Sequence, residues 1–406
     1  MLFVAVCLGL GIVYLAWAVR VFAASRLAGL MDTEHLRHAS VVDASNARYH
    51  DLLARHLFYA EQDVSGALAS YKTAVSIAPY AARSWLGLAE VLQVTGDTQG
   101  QLNAIQHAIA VDPRTPSIAW EAGNQFLIAG DRDAALTQFR TVFREDIQDV
   151  RIRPALEVSW RAAHDVGKLE AILPPNPAIW LDFITMLVDK KESDAAEKAW
   201  NDFISQHLSF DARQGLFYVD DLISQHDIAR ARHAWEQLIA ADKTLQAYAG
   251  PGNMIVNGGF EHDLLDGGFD WRYVDIPGVG ISLDAEDAHN GARSLQVLFV
   301  AATVPRAGVR QLIPVTPKTA YHFSAFVKGT EISSANGPRL AVYDSASHDM
   351  LFLSEEIQGT TPWHELSGRF VAGADTNLVT LDIVRTSSST HINGKLWLDD
   401  VSLVPE

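Results

Sequence analysis

The sequence is almost free of cysteine, since Cys7 is the only one among 406 residues. A lone cysteine cannot form a disulfide within the chain, and it excludes a zinc site built from cysteine thiolates. Chains without disulfides occur inside and outside the cytoplasm, so this scarcity leaves the compartment open. Basic residues are also few, with 32 Lys and Arg against 49 Asp and Glu and a formal net charge of −17. Because binding to phosphates requires a basic surface, we expect no nucleic-acid partner.

Catalytic signatures are missing as well. The sequence contains no HExxH, no phosphate-binding loop, no GxSxG and no cluster of zinc ligands. Its acidic pairs, Asp220-Asp221 and Glu355-Glu356, are adjacent in the chain. Adjacent carboxylates do not face each other across a substrate as those of a glycosidase do. We therefore predict that the protein is not an enzyme.

The first 18 residues are apolar and carry no charge. About 20 apolar residues suffice to cross the hydrocarbon core of a bilayer. Tyr14, Trp17 and Arg20 are residue types suited to the membrane interface. These features predict a transmembrane anchor over residues 1–24. We favour an uncleaved anchor, because Arg20 lies directly before the only segment that resembles a cleavage site.

The orientation of this anchor remains open. Arg20, Arg26 and Arg37 follow the apolar run, so the positive-inside rule would place the rest of the chain in the cytoplasm. The character of the C-terminal region, described below, favours the opposite side. Our expectation is a single-pass inner-membrane protein whose soluble domains are periplasmic or extracellular.

A period of 34 residues follows the anchor. It relates Pro79 to Pro113, Ala74 to Ala108, Gly96 to Gly130, and Tyr71 to Ile105 and Phe139. Each period contains two amphipathic stretches separated by a break, which predicts pairs of helices that bury their apolar faces by stacking. The period becomes irregular farther on, where Ala196 and Trp200 pair with Ala231 and Trp235 at a step of 35.

This pattern of Trp, Leu-Gly or Leu-Ala, Ala, aromatic, Ala and Pro resembles the tetratricopeptide repeat. Gly123, Phe126, Ala135 and Phe139 carry it in the third unit. We predict a repeat domain over residues 30–248. The resemblance implies a curved solenoid whose concave groove binds a protein or peptide.

Beyond residue 250 the pattern changes to short alternating runs. Tyr321, Phe323, Ala325 and Val327 alternate with more polar neighbours, for example. About ten such runs, separated by turn-forming residues, predict a two-sheet sandwich. The predicted boundary therefore lies at residues 249–251, and the β domain is expected to cover residues 251–406 and to fold alone.

Four segments of this region resemble carbohydrate-binding-module jelly rolls, namely residues 253–261, 287–295, 321–328 and 396–403. The resemblance implies an all-β jelly roll that binds a polysaccharide. It also implies a structural calcium ion, for which carboxylate oxygens are suitable ligands. Glu261, Asp399 and Asp400 are the candidate calcium ligands. No other cofactor is expected.

Strand parity supplies candidate sugar-binding residues. If the all-apolar faces point to the core, the outward positions include His322, Phe326, Lys328, Arg339, Tyr343 and Asp382. We predict that these six side chains share one glycan-binding sheet face, although an ordinary solvated face has the same composition. Trp271 and Tyr273 form an alternative loop site. Trp271, Trp363 and Trp397 also fall at positions that favour packing in the core.

Together these features describe a multidomain chain, in which a transmembrane helix precedes an all-α tetratricopeptide-type solenoid and an all-β jelly-roll sandwich. The functional hypothesis is a non-catalytic, membrane-anchored adaptor that binds a protein through the repeats and a polysaccharide through the jelly roll. Analogy of architecture points to exopolysaccharide or cell-envelope assembly. The alternative is a purely structural protein–protein scaffold that binds no glycan.

Overall fold

The computed structural model describes residues 2–146, 148–248, 252–386 and 390–406. The chain forms two compact units, Met1–Ala199 and Trp200–Glu406. The predicted domain boundary at residues 249–251 lies outside the described residues, and the predicted domain limits remain predictions.

The first unit begins with a long apolar helix, α1, at Leu2–Ala28. Its segment Cys7–Ala28 is long and apolar enough to cross a membrane, and most of that segment is exposed. A signal sequence passes the same test, so an anchor is one of two possible roles. The last turns of α1 are tied to the next helix, α2 at Thr33–Val42, because Arg20 pairs with Asp43 at 3.2 Å.

Helical hairpins follow in the order that the period predicts. The helices are α3 (Ala47–Tyr59), α4 (Val64–Ile77), α5 (Ala82–Thr95), α6 (Thr98–Val111), α7 (Pro116–Ile128), α8 (Arg132–Glu145), α9 (Ile152–Ala163), α10 (Val166–Glu170), α11 (Pro177–Asp189) and α12 (Ser193–Ser205). Close packing between hairpins and within them depends on small residues. A β-carbon on Gly87 would lie 2.4 Å from Tyr71, and one on Gly123 would lie 2.6 Å from Phe139.

The second helix of each of the first four hairpins starts at an aspartate cap. Asp63, Asp97, Asp131 and Asp165 accept hydrogen bonds from backbone N–H groups three residues ahead, at 2.9 to 3.0 Å. Such caps satisfy N–H groups that have no partner within the helix. The four aspartates are spaced by the same 34 residues as the hydrophobic positions.

The second unit continues with helices and then forms a sandwich, in which the described residues make ten strands. A 3₁₀ turn at Ala212–Gly215 precedes α13 (Leu216–Ser224), α14 (Ile228–Ala241) and α15 (Lys243–Gln246). The strands are β1 (Trp271–Tyr273), β2 (Val279–Asp284), β3 (Ser294–Ala302), β4 (Arg306–Pro314), β5 (Ala320–Ser333), β6 (Arg339–Asp344), β7 (Met350–Leu353), β8 (Gly359–Val371), β9 (Leu378–Val384) and β10 (Ile392–Pro405).

Two five-stranded antiparallel sheets share the core of this sandwich. The first sheet has the order β1-β4-β9-β6-β7, and the second has the order β2-β3-β10-β5-β8. Phe323 and Val327 of the second sheet pack in one buried cluster with Leu340, Val342 and Leu381 of the first. The predicted fold class, helical repeats followed by an all-β sandwich, is confirmed.

Helices α13 and α14 pack directly on the sandwich. Trp235 of α14 contacts Phe269 edge to face, with ring centroids 6.1 Å apart. Asp220 of α13 accepts a hydrogen bond from the backbone N–H of Gly268 at 2.8 Å and also pairs with Arg272. The loop that leads into β1 is therefore held between the sheet and these helices.

Candidate functional site

The six outward candidates lie on two different sheets. His322, Phe326 and Lys328 belong to β5 in the second sheet. Arg339 and Tyr343 belong to β6, and Asp382 to β9, in the first sheet. The prediction that they share one face is therefore wrong. Parity separates inward from outward side chains, but it does not reveal which sheet a strand joins.

A cleft of about 380 Å³ lies on the outer side of the first sheet. It is lined by residues of β1, β4 and β9 and of the segments beside β1, namely Asp266, Arg272, Tyr273, Val274, Ile276, Arg306, Gly308, Arg310 and Asp382. Two predicted site residues, Tyr273 and Asp382, therefore lie together here. Arginine is the most frequent residue in the lining.

The register of the strands places these side chains in a row. Arg272 of β1 is directly opposite Arg310 of β4, and Arg310 is directly opposite Asp382 of β9. Side chains in such cross-strand positions lie close together and interact. The register of β4 against β9 shifts between Arg306 and Arg310, and both arginines line the cleft. Gly308 lies in this irregular stretch at a φ of 84°, which favours glycine.

Asp382 forms the buried part of the cleft. Its side chain accepts hydrogen bonds from Arg306 and, at 3.3 Å, from the hydroxyl of Tyr343. Burial raises the pKa of Asp382, and the Arg306 guanidinium opposes that shift. Burial likewise raises the pKa of Tyr343. These contacts orient Arg306 toward the cleft.

Tyr343 does not offer the exposed ring that parity suggests. It is only 6% exposed, because Arg306 and Asp382 cover it from the outer side. Arg339 is on the same sheet, but it is paired with Glu356 at 3.2 Å and does not line the cleft.

The alternative site at Trp271 and Tyr273 is divided between core and surface. Trp271 is 1% exposed, and its indole N–H donates to the backbone carbonyl of Asn257 at 3.2 Å. Its packing role is the one that the structure supports. Tyr273 is 42% exposed and is one of the residues that line the cleft.

The candidates on the second sheet are engaged in contacts with their own domain. Phe326 stacks on His289 with centroids 3.6 Å apart and planes 11° apart. Lys328 pairs with Asp287 and lies 5.3 Å from the centroid of Trp397. His322 is half-buried between β8 and β10. The loop between β2 and β3 therefore covers part of this face.

The three candidate calcium ligands converge on that same loop. Asp399 accepts N–H groups of His289 and Asn290 at 2.8 and 3.1 Å, and Glu261 accepts those of Ala292 and Arg293 at 2.8 and 3.2 Å. Asp400 pairs with His289 at 2.6 Å. Among the described residues, no three His, Cys, Asp or Glu side chains are grouped to hold a metal.

These carboxylates therefore fit N–H donors better than a cation. Calcium requires oxygen ligands, whereas the partners seen here for Glu261 and Asp399 are nitrogen donors. Burial raises the pKa of Asp399, and its backbone hydrogen bonds oppose that shift. Calcium binding remains a prediction.

The helical repeats carry a smaller pocket of about 130 Å³, formed by α3, α4, α5 and α7. It is lined mainly by polar and charged residues, namely Asp51, Arg55, Tyr59, Tyr71, Arg83, Gly87, Glu90, Ser117 and Glu121. Burial, reinforced by the nearby charge of Glu90, raises the pKa of Glu121. The pocket thus presents positively and negatively charged side chains to a partner.

The sequence analysis missed the arginines of the cleft. Arg306 and Arg310 are four positions apart in one strand, so parity alone would have placed them on the same side. Arg272 follows the buried Trp271 and faces outward by the same rule. The overlooked signal was the number of arginines on neighbouring outward positions.

Comparison with solved structures gives distant similarities. The structure described as "CBM4 structure and function" is 13% identical and covers 37% of this chain and 99% of its own, with a TM-score of 0.30. A tetratricopeptide repeat protein from Parabacteroides merdae is 13% identical and covers 57% of this chain and 96% of its own, with a TM-score of 0.32. The MamA protein is 14% identical and covers 44% and 94%, also with a TM-score of 0.32.

No curated protein sequence matches the chain. The predicted combination of tetratricopeptide-type repeats with a jelly roll of the carbohydrate-binding type is confirmed. Residues 252–390, which contain the cleft, match the family described as carbohydrate binding domain.

Proposed function

We propose that the protein is a non-catalytic, membrane-anchored adaptor. In this proposal the cleft of the first sheet binds a polysaccharide, and the groove of the helical repeats binds a protein or peptide. The observation that carries it is the cleft itself. An exposed aromatic ring and several arginines line one cavity in a region that matches a carbohydrate-binding family.

The cleft has the groups that sugar recognition needs. The exposed ring of Tyr273 supports stacking on the CH groups of a sugar. Guanidinium groups donate hydrogen bonds to hydroxyl and ring oxygens. Arg306 is held by Asp382 and Tyr343 before any ligand arrives, so its ordering costs little on binding.

The helical repeats supply the second binding function. The pocket between α3, α5 and α7 presents arginines and carboxylates near Tyr59 and Tyr71. Such a mixed surface suits a peptide that carries charges of both signs.

The N-terminal helix gives the proposed location of the protein. The exposed apolar segment Cys7–Ala28 would hold the protein at the inner membrane, with the sandwich on the periplasmic or extracellular side. A role in exopolysaccharide or envelope assembly rests on the architecture alone. Reporters fused at the C-terminus test the orientation. A reporter active only in the cytoplasm would contradict the proposed role in the envelope.

A glycan array probed with the full chain in nanodiscs tests the binding function. We expect some polysaccharide fragments to bind, and Tyr273→Ala to weaken them at least about tenfold, which corresponds to about 1.4 kcal/mol. Tyr80→Ala is the matched control, because Tyr80 is 85% exposed on the helical repeats. Absence of binding to every glycan, with the chain folded, would favour the purely structural scaffold.

A further inference from the structure

We propose that the cleft of the first sheet selects polysaccharides that contain uronic acids, and that Arg310 binds the sugar carboxylate. This inference rests on the proposed function and narrows its ligand class. It starts from the partners of the three cleft arginines.

Two of the three arginines already have anionic partners. Arg306 pairs with Asp382, and Arg272 pairs with Asp220 of α13. The side chain of Arg310 is exposed, and its guanidinium makes no hydrogen bond or ion pair with the described residues. Its neighbour across the strands, Asp382, is engaged by Arg306. The cleft therefore contains one guanidinium whose donors remain available.

Arg310 has a like charge on one side and a carboxylate on the other. It is directly opposite Arg272, where like charges destabilise a sheet, and it is also directly opposite Asp382, which attracts it. An anion bound beside Arg310 would offset that repulsion. The other charged group at the cleft is Asp266, an exposed carboxylate that accepts the backbone N–H of Tyr273 at 3.0 Å.

Gly308 lets the segment after β1 pack closely on β4 between Arg306 and Arg310, because a β-carbon there would lie 2.7 Å from Ile276 and 2.9 Å from the carbonyl oxygen of Val274. A planar carboxylate can accept two parallel hydrogen bonds from one guanidinium. A uronic acid also has the pyranose ring that Tyr273 can stack on, which a simple anion lacks.

The test compares oligogalacturonate and oligoglucuronate with their carboxyl-reduced neutral counterparts. Binding to the full chain in nanodiscs is measured by calorimetry. We expect the acidic oligosaccharides to bind at least tenfold more tightly. Arg310→Gln should remove this preference, and Arg310→Lys should retain part of it. Arg369→Gln is the control for bulk charge, because Arg369 is exposed on the second sheet and pairs with Glu406.

The outcomes separate this inference from the proposed function. Equal affinity for acidic and neutral forms would overturn the uronic-acid inference and leave polysaccharide binding intact. Equal losses in Arg310→Gln and Arg369→Gln would show a general charge effect and would also overturn it. Failure of every acidic and neutral glycan to bind would reject both. If Arg310→Gln does not fold, the wild-type comparison of acidic and reduced ligands still decides.

Discussion

Enlarging Gly268 should show whether helix α14 and the sandwich share a packed interface. Gly268 has a φ of 60°, and a β-carbon there would lie 2.4 Å from the Trp235 ring. Left-handed backbone costs a residue with a β-carbon roughly 1–2 kcal/mol. Forcing the methyl group against the indole adds about 1–3 kcal/mol. We therefore expect Gly268→Ala to lower the stability of the second unit by roughly 2–5 kcal/mol.

Gly359→Ala separates the two contributions. Gly359 has a similar φ of 66°, but a β-carbon there meets nothing within 4 Å. Its substitution should cost only the backbone term of about 1–2 kcal/mol. The difference between the two variants, about 1–3 kcal/mol, measures the contact with Trp235.

Denaturant unfolding of the full chain in detergent provides the assay, with the transition of the second unit followed by near-ultraviolet circular dichroism. Equal destabilisation by the two substitutions would refute the packing argument. It would also support the original expectation that residues 251–406 fold alone. A larger loss of stability in Gly268→Ala than in Gly359→Ala would mean that the loop at Gly268 depends on its contact with α14. Residues 251–406 alone lack that helix.

Three further predictions concern the repeats, a buried carboxyl group and calcium. Ala108→Trp should abolish cooperative melting of the repeats, because Ala108 is fully buried between helices. Val94→Trp, at an exposed position, is the control and should leave the melting cooperative. An unchanged melting temperature for Ala108→Trp would refute the repeat packing. Burial raises the pKa of Asp270 from 3.8 to about 7, so the folded state retains its proton and stability should fall as pH rises from about 4 to 7. The free energy of unfolding should fall with a slope of up to about 1.4 kcal/mol per pH unit, and Asp270→Asn should flatten this pH dependence. Denaturant unfolding at several pH values measures it. If calcium binds, its addition should raise the melting temperature and Glu261→Gln should remove that rise; no effect on the wild type would contradict the calcium prediction.

The helical repeats were predictable because their physics is local. One period of the sequence contains both the residues that pack and the break between them. The aspartate caps at Asp63, Asp97, Asp131 and Asp165 obey the same period, although the sequence analysis did not use them. They strengthen the assignment of the fourth hairpin, whose second helix has only five residues, Val166–Glu170. Capping depends on three adjacent positions, so it was visible without a structure.

The cleft was predictable only in part, because it depends on which strands become neighbours. Parity correctly identified Tyr343 and Asp382 as residues on the outer side of their sheet. It combined them with Phe326 and Lys328, which lie on the other sheet. Arg272, Arg310 and Asp382 are adjacent only because β1, β4 and β9 pair in that order. Those strands are far apart in the chain, and no local pattern specifies their pairing.

The role of an arginine depends on its hydrogen-bond partners. The sandwich contains one arginine that is buried and bonded to loops, and one that is exposed. Arg385 is 6% exposed and donates to the carbonyl oxygens of Asn336, Val304 and Thr390, so it holds loops together. Arg310 is exposed and makes no such bonds among the described residues. The first arrangement uses the donors of the guanidinium for the fold, whereas the second leaves them for a ligand. Arg310 is directly opposite Arg272 on one side and Asp382 on the other, and because Asp382 is hydrogen-bonded to Arg306, the donors of Arg310 are left for an external anion.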